Sequence, residues 1–165
     1  MKRIRLILCI AALVLVSTSY GQNEKFKALF IYNFTNYIDW PGGIHGTFVI
    51  AVYGDSPIFS ELQAISKIKK VNGASIEVRK VGSVAEIGNS QIVFVPSQKK
   101  KAMVEINQTL AGKAILLVSD NASSDFGINF VEVDQKQTFQ ISKSNVESHK
   151  LKVNSSLLSL GIVVR

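Results

Sequence analysis

Gln91-Ile92-Val93-Phe94-Val95, then Ser97, then Ala114-Ile115-Leu116-Leu117-Val118 is the stretch that decides the fold. Both apolar runs lack alternation. Runs of four to five such residues suit central strands covered on both faces, as in parallel sheets. Between them Met103, Ile106 and Leu110 recur at helical spacing, with Lys99, Lys100 and Lys101 on the outer side. Ser97 is placed to cap this helix and Gly112 to end it. Strand, helix and strand in succession make a parallel crossover unit.

Working outward, the same grammar continues. Phe48 to Tyr53 is a strand-forming run ended by Gly54-Asp55, and Ser56-Pro57 opens a helix whose buried face is Ile58, Leu62, Ile65 and Ile68. Ser75 to Val81 alternates as a strand. After Asp125 the pattern changes: Ile128 to Val133 and Gln137 to Ser142 flank Asp134-Gln135-Lys136 as a hairpin. A short helix from Ser144 and an apolar segment from Leu157 to Val164 close the chain. The expected fold is a single α/β sandwich. Its mixed sheet is mainly parallel, has helices on both faces, and ends in an antiparallel hairpin edge.

Upstream, Glu24 to Trp40 carries Phe26, Leu29, Phe30, Asn33, Phe34 and Tyr37 at spacings of three and four, which predicts a long helix stopped by Pro41-Gly42-Gly43. Ala28, Ile31, Tyr32 and Ile38 make its other side apolar as well. A helix apolar over most of its circumference is buried on two sides, by the domain and by a partner. Phe30, Phe34, Tyr37 and Trp40 are therefore the candidate partner-binding residues, although the same aromatics also serve a core.

Residues 1–21 have a basic start (Lys2, Arg3, Arg5), an apolar run from Leu6 to Val16 and a small-residue end at Ser19 and Gly21. This is the layout of a secretory signal peptide cut before Gln22. The run is short of the about 20 residues that span a bilayer. With the leader go the three basic residues and Cys9, so the net charge falls from +7 to +4 and the exported domain, 22–165, has no cysteine. A charge of +4 is a mildly basic surface, not a nucleic-acid footprint.

Among 165 residues, 47% are hydrophobic and only 19% charged, enough to build one packed domain. Chemistry is scarce. His45 and His149 have no metal-ligand spacing around them, and no nucleophile elbow, P-loop or dinucleotide fingerprint occurs. The reading is of a binding protein without catalytic residues, cofactor or metal. One alternative is a small-ligand-binding protein. Gly54-Asp55-Ser56, Pro96-Ser97 and Ser119-Asp120 each follow a predicted parallel strand, and the carboxyl ends of such strands form the usual ligand crevice. Asp55, Ser97 and Ser119 are the candidate ligand-binding residues, although ordinary capping and turn chemistry is the stronger account of them.

Lys27-Ala28-Leu29-Phe30-Ile31-Tyr32-Asn33-Phe34 followed by Tyr37-Ile38-Asp39-Trp40-Pro41 resembles the opening signature of the YfiR family of periplasmic proteins. Further similar blocks follow in order: Gly54 to Phe59, Ile92 to Val95, Ala114 to Asp120, Gly127 to Phe130, Phe139 to Ile141 and Leu151 to Leu158. The resemblance implies a periplasmic repressor that binds the periplasmic domain of an inner-membrane diguanylate cyclase; the chain's departures from the family pattern leave a sensor kinase as the other candidate for this signalling protein. An outer-membrane-associated protein would relieve the inhibition, with effects on cyclic di-GMP and biofilm. It implies no catalytic residues. A second copy of the chain is a further candidate partner for the first helix. The chain departs from the family pattern in lacking disulfide cysteines after the leader, in Ser142 where Asn is usual and in Gly161 where Ala is usual.

Overall fold

A computed structural model describes residues 21–164. The expected leader, apart from Gly21, lies outside the described residues. Helix α1 covers residues 21–34. It is followed by β1 (Ile38–Asp39), β2 (Phe48–Tyr53), α2 (Ile58–Ser66), β3 (Lys70–Val71), β4 (Ala74–Val81) and β5 (Ile92–Val95). Then come α3 (Met103–Leu110), β6 (Leu116–Asp120), β7 (Ile128–Val133), β8 (Lys136–Ser142) and α4 (Lys143–Ser148). The chain closes with β9 (Lys152–Val153), α5 (Ser155–Leu160) and β10 (Ile162–Val164).

Eight strands form one sheet in the order β10-β8-β7-β6-β5-β2-β4-β3. The five from β7 to β4 are mutually parallel. Counted in chain order those five run 2-1-3-4-5, the flavodoxin-like arrangement. The expected α/β sandwich with a mixed, mainly parallel sheet is what the chain adopts. The unalternating strands are covered on both sides. Ile50, Val52, Ile92, Phe94, Leu116 and Val118 pack with α1 and α2. Their neighbours Ala51, Val93, Val95 and Leu117 pack with α3 and a 3-10 turn at Val84–Ile87.

Five expectations change. Ile68, expected on the buried face of α2, is 79% exposed, because α2 ends at Ser66. The first helix ends at residue 34, not at Trp40. The amides of Thr35, Asn36 and Tyr37 reach back only three residues, at 3.1, 3.0 and 2.9 Å, and the Thr35 hydroxyl donates to the Tyr32 carbonyl at 2.6 Å. That tightened last turn releases Ile38-Asp39 to pair antiparallel with Val153 and Lys152. Ser97 does not cap an α-helix: Ser97–Ala102 is itself a 3-10 helix without a side-chain cap, leading into α3. The strand foreseen at Ala114–Val118 starts two residues later, because the Ile115 amide closes a turn onto the Lys113 carbonyl at 2.8 Å.

The hairpin β7–β8 forms around Asp134 and Gln135, both left-handed with φ 50° and 62°, as a two-residue primed turn requires. It is not the sheet edge, however. Gly161 breaks the last apolar segment into α5 and β10, and β10 lies parallel to β8 outside the hairpin.

Candidate functional site

Two surface features draw on the residues singled out by the sequence. The first lies where the strand order reverses. From β2 the chain goes to β4 on one side and then returns to β5 on the other. Loops leaving neighbouring strands in opposite directions cannot fill the space above them, so a crevice opens at the carboxyl ends. Here it measures about 260 Å³. Its walls include Ser56, Ser97, Gln98, Asp120 and Asn121 from the strand ends, Asn23, Glu24 and Lys27 from α1, and Glu132 and Gln137 from the hairpin.

The centre of this crevice is a buried ion triad. Lys27 is only 6% exposed, and its Nζ donates to Asp120 Oδ2 at 2.9 Å and to Glu24 Oε1 at 3.0 Å. Burial works to lower the Lys27 pKa. The hydrogen bond and charge of Asp120, and then those of Glu24, outweigh it and hold the ammonium above its ordinary value. Lys27 is thus a fixed positive charge and hydrogen-bond donor, not a proton acceptor, at neutral pH.

Of the three residues expected to bind a ligand, only Ser97 lines the crevice. Ser119 is fully buried beneath it. Its hydroxyl donates to Asn129 Oδ1 at 2.8 Å, and Asn129 also takes the Ala122 amide at 2.9 Å and donates to the Ala122 carbonyl and Gln140 Oε1, both at 3.0 Å. This network sets the loop that presents Asp120 and Asn121. Asp55 points to solvent and accepts from Lys80 Nζ at 2.6 Å; that hydrogen bond and charge hold its pKa below the usual range.

Glu24, Lys27, Asn121 and Glu132 were not singled out by the sequence. A signal for two of them was present. Glu24, Lys27, Ala28, Ile31 and Phe34 fall on one buried stripe of α1, and charges inside an apolar stripe mark a buried ion pair or a site.

The second feature is an aromatic groove between α1 and α5, also about 260 Å³, lined by Phe30, Asn33, Tyr37, Leu157 and Leu160 with Phe34 at its floor. The four candidate partner-binding aromatics divide here. Phe34 is fully buried and stacks on Phe130, and Trp40 packs edge-on against Phe48 at 5.3 Å. Phe30 and Tyr37 are half-buried and open to the groove. Phe30 is held by Phe26 and Phe139, with ring centroids at 4.3 and 5.5 Å. Beyond Leu160, 59% exposed, β10 adds Ile162 and Val163, 41% and 54% exposed, on the outer edge of the sheet.

No group of three or more metal-ligating side chains comes together among the described residues. No described helix is long and apolar enough to cross a membrane. A family model described as YfiR/HmsC-like matches residues 24–162. No curated protein matches the chain.

Proposed function

We propose, from the premise that this chain belongs to the YfiR/HmsC-like family, that it is a periplasmic regulator of diguanylate cyclase signalling that works by binding. Its partner is the periplasmic domain of an inner-membrane signalling protein, a diguanylate cyclase or a sensor kinase, which it holds inactive. Residues 1–21 act as the export signal, and residues 22–165 are the regulatory domain. An outer-membrane-associated protein that competes for the same surface would relieve the inhibition.

The observation that carries this reading is the groove between α1 and α5 continued by the exposed edge of β10. Phe30 and Tyr37 are half-buried aromatics in a groove with exposed Leu160 at its side, and Val163 is exposed on the strand that follows, a composition that suits an interface centre. The outer edge of β10 also leaves backbone donors and acceptors for an added strand.

Capture on solubilised inner membranes tests it. Residues 22–165 should recover a membrane protein with a periplasmic domain and a diguanylate cyclase or kinase module, and the Leu160→Arg, Val163→Lys double variant should not. Deleting the gene should raise cellular cyclic di-GMP. Equal recovery by both forms, or unchanged cyclic di-GMP, overturns the proposal. Mass analysis of the exported protein should place its first residue at Gln22.

A further inference from the structure

We infer that the crevice at the carboxyl ends of β2, β5 and β6 binds a small hydroxylated amine, a molecule of monosaccharide size carrying one ammonium group. This goes beyond the regulatory reading and does not depend on it.

Three independent observations converge on that class. The first is place: the crevice sits at the switch point of a flavodoxin-like strand order, where open α/β sheets take their ligands. The second is size. A crevice of about 260 Å³, just under the roughly 300 Å³ at which small-molecule sites begin, admits one compact organic molecule. The third is the chemistry of the walls, which hold few apolar side chains and therefore suit a hydrophilic guest.

The charges then select among hydrophilic guests. Glu24, Asp120 and Glu132 bring three carboxylates to the crevice against the single ammonium of Lys27. A guest carrying positive charge balances the excess, and an anion is repelled. Lys27 sharpens the choice. An ammonium has three N–H donors, and Lys27 spends two of them on Glu24 and Asp120. The third has no protein partner among the described residues, although the side chain is nine-tenths buried and lines the crevice. That donor calls for an acceptor on the guest, which a hydroxyl supplies. Ser56, Ser97, Asn23, Asn121 and Gln137 add short-range partners for further hydroxyls.

The test uses one scaffold in three charge states. Glucosamine, N-acetylglucosamine and glucuronate are titrated into ¹⁵N-labelled protein below neutral pH, and amide shifts are followed. Glucosamine should move Gln98, Asn121 and Gln137, with N-acetylglucosamine at least tenfold weaker and glucuronate without effect. Glu132→Gln, a change at an exposed position that leaves the fold intact, should weaken glucosamine severalfold, and Asp120→Asn more. Glu105→Gln on the opposite face should change nothing. No shift with glucosamine, an equal response to glucuronate, shifts scattered over the surface, or unaltered binding by Glu132→Gln and Asp120→Asn together would overturn the inference.

Discussion

Lys27 and Asp120 stand 93 residues apart in the chain, and their side chains meet at 2.9 Å. The contact ties the buried stripe of α1 to the end of β6, and Glu24 completes the triad from one helical turn away. Removing Lys27 would leave two nearly buried carboxylates without a counter-charge. Lys27→Ala should lower unfolding free energy by about 3 kcal/mol, read by urea denaturation. Asp120→Asn added to it should recover part of the loss. Because the folded pKa of Lys27 is raised, its contribution is complete below 10.5 and is lost as pH rises through the folded value. A double variant that is no more stable than Lys27→Ala would count against the triad.

His149 predicts the opposite pH dependence. Asn107 Nδ2 donates to Asp125 Oδ1 at 3.1 Å, so Asn107 Oδ1 must accept from His149 Nε2 at 2.8 Å. His149 Nδ1 is then left without a proton and, among the described residues, without a partner. Burial pushes the His149 pKa below 6.5, against the opposing pull of the Lys113 and Leu110 backbone. The stabilisation it brings is present above 6.5 and is lost as pH falls through the folded value. Melting temperature should therefore drop as pH falls below 6.5. His149→Gln should flatten that slope; an unchanged slope would remove His149 as its cause.

Gly161 is where the chain turns from α5 into β10, and it has no room for a methyl group. A Cβ there would lie 2.5 Å from Phe139 Cε2 and 3.1 Å from Ile141 Cδ1. The backbone angle, φ −118°, suits any residue, so the conflict is one of packing alone. Phe139 cannot yield, since Phe30 and Phe34 hold its ring. Gly161→Ala should cost about 2 kcal/mol, and Phe139→Leu in the same chain should offset part of it. Chemical denaturation of the four forms closes the cycle.

The hairpin turn invites a stabilising change. Gln135 holds φ 62°, a conformation that a residue with a Cβ resists by about 1 kcal/mol. Gln135→Gly should stabilise the protein by about that amount, visible as a higher midpoint in urea with an unchanged slope.

Surface variants separate binding from folding. Leu160→Arg and Val163→Lys change exposed side chains, so each should alter stability by less than about 0.5 kcal/mol. Both should nevertheless reduce partner capture. If capture falls only together with the melting temperature, the groove is structural and not the docking surface.

Much of the fold was legible because it rests on local periodicity. The runs at Ile92–Val95 and Phe48–Tyr53 are apolar on both faces, and only a covered central strand tolerates that. The end of α1 was not legible. Tyr37 and Trp40 keep helical spacing from Phe30 and Phe34, yet Ile38-Asp39 leaves the helix to meet Val153 and Lys152, residues more than a hundred positions away. The site was harder still. The turns Gly54-Asp55, Pro96-Ser97 and Ser119-Asp120 were in view, but the directions of their side chains were not. Asp55 turns to solvent, Ser119 turns inward to Asn129, and Lys27 enters from a helix that no strand-end rule mentions.

Composition and periodicity alone determined an α/β chain with a mainly parallel sheet, since burying apolar faces at a given period leaves few choices of layer. Tertiary structure decided which polar groups share a crevice and which aromatics stay open at the surface. Those outcomes depend on strand order and on side-chain direction at the strand ends, and neither is encoded in any short stretch of residues.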